Sequence, residues 1–134
     1  ALSPISIENA YGFATMPGAA TGAAFMIIKN DGTEDDKLIS VASHVATITE
    51  IHENLIDPDT STMMMRKIKH LNIPAKGEVV LKPKGYHVMF IKLKEPLTMD
   101  TSVPVTLNFE KSGEQTINIK IMPPGKMPKH NHAH

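Results

Sequence analysis

The chain contains no cysteine and no tryptophan among its 134 residues. Without a thiol it can form no disulfide, build no thiolate metal site and offer no cysteine nucleophile. Aromatic side chains are few, with 4 Phe and 2 Tyr. No apolar run reaches the roughly 18 residues a membrane-spanning helix requires. Neither sign of charge is in excess, since 14 Lys and Arg stand against 14 Asp and Glu. With no basic surplus to neutralise phosphates, nucleic acid is not an expected partner. Methionine and histidine, by contrast, are abundant at 9 and 7. The length suits one domain, hiding roughly two-thirds of the surface its unfolded chain would expose. The opening Ala1-Leu2-Ser3-Pro4 reads as a mature, exported protein whose signal peptide has been removed.

Hydrophobic alternation predicts strands throughout. Val103, Val105, Leu107 and Phe109 alternate with Pro104, Thr106, Asn108 and Glu110. Beyond a turn at Ser112-Gly113, Ile117, Ile119 and Ile121 alternate with Asn118 and Lys120, which makes a hairpin with one apolar face. Further strands are expected at 6–15, 23–29, 38–41, 46–51, 78–81 and 86–93, punctuated by Pro17-Gly18, Asn30-Asp31-Gly32 and Pro83-Lys84-Gly85. The 10 prolines are spread along the chain and argue against a long helix. Eight or nine short strands with regular turn signals predict a β-sandwich or Greek-key barrel over residues 1–122. Residues 123–134, rich in Pro, Lys, Met and His, read as a flexible tail.

Methionine and histidine crowd in three places. Met63-Met64-Met65 follows the polar stretch 57–62. In His87-Val88-Met89 the strand period puts His87 and Met89 on one face. The tail holds Met127, His130, His132 and His134, close behind Met122, while His52 stands alone at the end of a strand. Thioethers are neutral, polarizable donors suited to Cu(I), and imidazole accepts several metals. Zinc prefers thiolate, imidazole and carboxylate, and a blue-copper centre needs a cysteine, so reversible Cu(I) binding fits this donor set best. A thioether cannot be lost to a disulfide outside the cytoplasm, which agrees with export. Met16, Met26 and Met99 are expected to be core fillers, and His44 and His70 to be surface residues.

On these residues the sequence resembles the periplasmic copper(I) chaperone family, the PCu(A)C domain. That family's pattern is a His, about ten residues, a Met, 21 residues and then His-x-Met. Met65, the 21 intervening residues, His87 and Met89 fit it. Ala14-Thr15-Met16-Pro17-Gly18-Ala19-Ala20, Glu50-Ile51-His52-Glu53, Met63-Met64-Met65-Arg66 and the stretch from Leu81 to Met89 agree in order and spacing. There are two departures: 12 residues separate His52 from Met65, and Asn54 stands where the family often has a Met. The resemblance covers about residues 4–122 and implies an all-β, cupredoxin-like Greek-key sandwich.

It further implies a monomeric periplasmic copper carrier. His52, Met65, His87 and Met89 would hold one Cu(I), with Met63 or Met64 as a substitute thioether. A loop and two strand segments would supply these donors. Copper would pass by ligand exchange to a copper-accepting protein, such as a cytochrome c oxidase subunit or another assembly chaperone, without enzymatic activity. Met122, Met127, His130, His132 and His134 are candidates for a second, Cu(II) site, since Cu(II) favours imidazole and tetragonal ligation. The competing reading is a structural or adhesive β-sandwich without specific metal binding. A metal-dependent enzyme would need a base beside the metal, and Glu53 is the adjacent candidate.

Overall fold

The structure is a computed structural model that describes residues 3–125. Ten strands follow one another: β1 (Ile5–Phe13), β2 (Thr21–Asn30), β3 (Asp36–Ala42), β4 (Ala46–Ile56), β5 (Met63–Ile68), β6 (Leu71–Ile73), β7 (Gly77–Leu81), β8 (His87–Leu93), β9 (Ser102–Phe109) and β10 (Gly113–Met122). No helix occurs among the described residues. Pairing runs β5-β4-β8-β2-β1-β10-β9-β3-β6, with β7 joined to β2. Strand β2 changes partner along its length, meeting β8 at residues 21–24 and β7 at residues 26–30.

This single sheet folds over on itself and buries one core. From one layer come Ala24, Met26 and Ile28 of β2, Ile51 of β4, and Val88 and Phe90 of β8. From the other come Leu38 and Val41 of β3, Val105, Leu107 and Phe109 of β9, and Ile119 and Ile121 of β10. Each fully buried side chain of this size contributes about 1.5–3 kcal/mol relative to exposure. The all-β sandwich expected from the strand period is the fold observed, and the alternating residues of β9 face the core as read.

Two strands, β5 and β6, carry no sustained alternation that would announce them. All residues of β5 from Met63 to Lys67 are exposed, so neither face needed an apolar period. Strand β6 has only three residues. Among the methionines, Met26 is buried as expected, whereas Met16 and Met99 are exposed. The core assignment fails for those two because they lie in connections between strands, where no pleat turns a side chain inward.

Two local features position the rest. The register of β1 against β2 shifts between Glu8 and Tyr11, where Asn9 takes a left-handed φ of 52°. A bulge of this kind exchanges the two faces of a strand. Ile5 and Ile7 therefore point into the core, while Tyr11 beyond the bulge meets Phe25 on the other side of the sheet, with ring centroids 5.2 Å apart. The second feature is Asp36, which is buried at the start of β3. Its Oδ1 accepts from the backbone N–H of Lys37 and Lys111 at 2.7 and 2.9 Å. Its Oδ2 accepts from Ser112 N–H at 3.0 Å and from the Ser112 hydroxyl at 2.6 Å. One carboxylate thus clamps the β9–β10 turn onto β3.

Candidate metal centre

The pairing register decides which side chains can meet. Between β4 and β8, His52 lies opposite His87 and Glu50 opposite Met89. Between β4 and β5, Asn54 lies opposite Met65, His52 opposite Lys67, and Ile56 opposite Met63. Directly opposed residues project to the same face of a sheet, and so do alternate residues of one strand. One face therefore carries His52, Met65, His87 and Met89 together, with Glu50, Asn54, Met63 and Lys67 among them. Met64 falls on the reverse face, where Arg66 Nη2 donates to Glu53 Oε2 at 2.7 Å. These four candidate donors lie on three strands, not on a loop and two strands. The Met run is part of the β4–β5 hairpin, whose connection over residues 57–62 absorbs the long spacing after His52.

Exposure rises steadily across this face. His87 is 4% exposed, His52 and Met89 are half-buried, and Met65 is 53% exposed. The His52 and His87 rings stand 5.7 Å apart between centroids, inclined at 50°. Phe25 lies 6.4 Å behind His87 and packs in turn against Tyr11 and Phe13. The bulge in β1 brings that aromatic wall to the site, and its contribution could not be read from the aromatic count.

Hydrogen bonds fix which ring nitrogens are free. His52 Nε2 lies 2.9 Å from Glu50 Oε1. A carboxylate only accepts, so Nε2 carries the proton and donates it. The hydrogen bond from His52 holds the Glu50 carboxyl below its usual range, against the opposing effect of burial, and Lys67 at 3.3 Å adds to the lowering. His52 Nδ1 is buried and has no hydrogen-bond partner. His87 shows the converse arrangement: its Nδ1 donates to the Gly85 carbonyl at 3.1 Å, which leaves the lone pair on Nε2. Burial pushes the His87 pKa down, with nearby His52 adding to this and the Gly85 carbonyl opposing it. His87 is thus held neutral, the form a metal needs.

No cluster of three or more His, Asp or Glu side chains suited to a metal occurs among the described residues. The further side-chain donors this face offers beside its two imidazoles include the thioethers of Met65 and Met89. Glu53, the carboxylate next to His52 in sequence, is tied to Arg66, and Glu50, two residues before His52, is the one that touches the ring. The period of two could have identified Glu50, because it shares a strand face with His52. His44 and His70 are exposed, as expected, with His44 lying 3.9 Å from Glu95. Met122 ends β10 opposite Phe13, and its carbonyl accepts from Ala14 N–H at 2.8 Å. Met127, His130, His132 and His134, and with them the tail site, lie outside the described residues.

The sequence model of the family described as "Putative lipoprotein LpqE-like" matches residues 5–121. A relative from Leifsonia xyli subsp. xyli (strain CTCB07), "Putative lipoprotein Lxx21020", is 29% identical over 104 residues. That match covers 78% of this chain but 62% of the relative, so the chain spans less than two-thirds of its length. The copper-bound PCuAC domain from PmoF2 shares the fold with a TM-score of 0.77 at 24% identity, over 92% of this chain and 97% of that one. The apo PmoF2 PCuAC domain gives 0.75 at 26% identity, over 95% and 96%. The solution structure of CuI-DR1885 from Deinococcus radiodurans gives 0.72 at 25% identity, over 92% and 81%. The likeness to PCu(A)C domains read from the residues is therefore present in the fold as well.

Proposed function

We propose, since the chain belongs to the LpqE-like family, that it is an exported copper carrier which holds Cu(I) as cargo through His52, Met65, His87 and Met89. One observation carries this reading: two imidazoles on neighbouring strands share a face with two thioethers. Imidazoles on one metal, with metal–nitrogen bonds of about 2 Å, place their ring centroids roughly 5–6 Å apart. The observed 5.7 Å suits a shared ion. Neutral nitrogen and thioether donors favour Cu(I) over zinc or a hard cation. Two of the similar structures are described as copper-bound and CuI forms, which supports copper as the cargo. The lipoprotein relatives support export and attachment to the cell envelope, and a donor set without thiols suits the periplasm as the compartment.

The gradient of exposure suits release by ligand exchange. An acceptor's donors reach Met65 first, and the buried His87 lets go last. The acceptor is a copper-accepting protein, an oxidase subunit or another assembly chaperone, and the carrier acts as a monomer. Glu53 is engaged with Arg66, and the Glu50 carboxylate is held between His52 and Lys67, which favours transfer over turnover. The His/Met-rich end, with Met122, Met127, His130, His132 and His134, adds a Cu(II) site.

Anaerobic, competitor-buffered Cu(I) titration followed at the methionine methyls tests the site. One equivalent is expected to shift Met65 and Met89 and to leave Met64 in place, because Met64 lies on the reverse face. Met65→Ile should weaken binding at least about as much as losing an outer partner of a ligand does, 10-fold or more, while Met64→Ile changes nothing. Unchanged affinity in Met65→Ile with a shift at Met64 would move the sulfur ligand to the other face.

A further inference from the structure

We infer that Glu50 is the positioning residue that makes His52 ligate through Nδ1, an inference that rests on the copper-carrier reading. Glu50 precedes His52 by two residues on the same strand face and lies directly opposite Met89, so its carboxylate sits inside the site and not at its rim. It is held from two directions. Oε1 accepts a hydrogen bond from His52 Nε2–H at 2.9 Å, and Oε2 pairs with Lys67 Nζ at 3.3 Å, Lys67 being the residue opposite His52 on β5. A ring locked in this way cannot turn over to present Nε2. Its other nitrogen, Nδ1, is left buried without a partner. Buried polar atoms are rarely left so, and a ligand is one reason for an exception.

His87 reaches the same end by the opposite route, its Nδ1 being spent on a backbone carbonyl. The pair therefore offers one Nδ1 and one Nε2, and each lone pair is selected by an acceptor on the far side of its ring. Such outer partners fix the orientation of a ligating imidazole and raise its basicity, and losing one costs 10–100-fold in metal affinity. Lys67 competes for the same carboxylate and keeps it from turning onto the ion as a third kind of ligand. Glu50 is then a brace and not a donor.

The test uses the whole chain with ¹⁵N-labelled histidine. The wild-type apo protein should show a protected His52 Nε2 proton, and one equivalent of Cu(I) should shift His52 Nδ1 and His87 Nε2. Glu50→Ala should lose the protected proton, spread the copper shift between the two His52 nitrogens and bind Cu(I) about 10–100-fold more weakly. Glu50→Gln, whose amide oxygen still accepts, should restore the proton and most of the affinity. A copper shift at His52 Nε2 in the wild type overturns the inference without any variant. So does Glu50→Ala binding within about twofold of wild type with Nδ1 still ligated, set against the 10-fold minimum for a lost brace. A wild-type chain that shows the protected proton but takes up no Cu(I) sinks the carrier reading itself. The two failures are thus distinct.

Discussion

Replacing His87 by alanine should reduce Cu(I) affinity by about 100-fold or more, beyond the 10–100-fold typical of losing an outer-shell partner. Three features of its setting produce so large an effect. The ring is almost wholly buried against Phe25, so no water can take the vacated position with equal ease. Its Nδ1 is committed to the Gly85 carbonyl, which points the other nitrogen in one direction. Burial and the neighbouring His52 also keep its pKa below the ordinary histidine range, so at neutral pH copper displaces no proton from it. Acid has a definite sign here. As pH falls through the ordinary histidine range, the unfolded chain takes up a proton that the folded His87 resists, and the fold loses stability. The native protein loses the copper-binding form of His87 once pH drops further, through its lowered folded pKa, and the thioethers do not titrate. Anaerobic competitor titrations at neutral and mildly acidic pH, beside urea denaturation of the apo protein, measure both effects. Wild-type affinity in His87→Ala would exclude this residue from the site.

Asp36→Ala should destabilise the fold by roughly 3–5 kcal/mol, a range set by leaving several buried donors without their acceptor. Four hydrogen bonds converge on this one carboxylate, three from backbone N–H groups and one from a hydroxyl. Burial alone would raise its pKa, but these bonds together outweigh burial and lower it. The stabilisation is therefore present above the ordinary aspartate range and is lost as pH falls through the lowered folded value. Asp36→Asn keeps one accepting oxygen and should recover part of the loss. Asp36 shares no hydrogen bond with the candidate centre, so the folded fraction of either variant should bind Cu(I) as the wild type does. A change below about 1 kcal/mol in the urea midpoint analysis of Asp36→Ala would show that the clamp is solvent-compensated.

The apolar strands were legible because burial leaves a period in the sequence. Val103 to Phe109 point alternately inward as written, and the same logic places His87 and Met89 on one face. Strand β5 escaped the same logic: a strand exposed on both faces has no apolar alternation, and Met63-Met64-Met65-Arg66-Lys67 reads as a loop. Its register, set by pairing with β4, is what separates Met63 and Met65 from Met64. Met16 and Met99 looked like core residues by type alone, but they lie in connections between strands. Glu53 drew attention through its adjacency to His52, although in a strand the neighbour that shares a face is two positions away. Glu50 satisfies that rule and makes the contact. The aromatic wall leaves no mark in the sequence pattern. Tyr11 joins it only because a bulge at Asn9 exchanges the faces of β1, and nothing in the local pattern marks a bulge.

X-ray absorption of the anaerobic complex with one equivalent of Cu(I) tests the donor set most directly. The account predicts two sulfurs at about 2.3 Å and two nitrogens at about 2.0 Å, the bond lengths such ligands commonly adopt. Both sulfurs should vanish from the shell in the Met65→Ile, Met89→Ile double variant. A shell of nitrogen and oxygen alone, or the same sulfurs surviving in that variant, would contradict it.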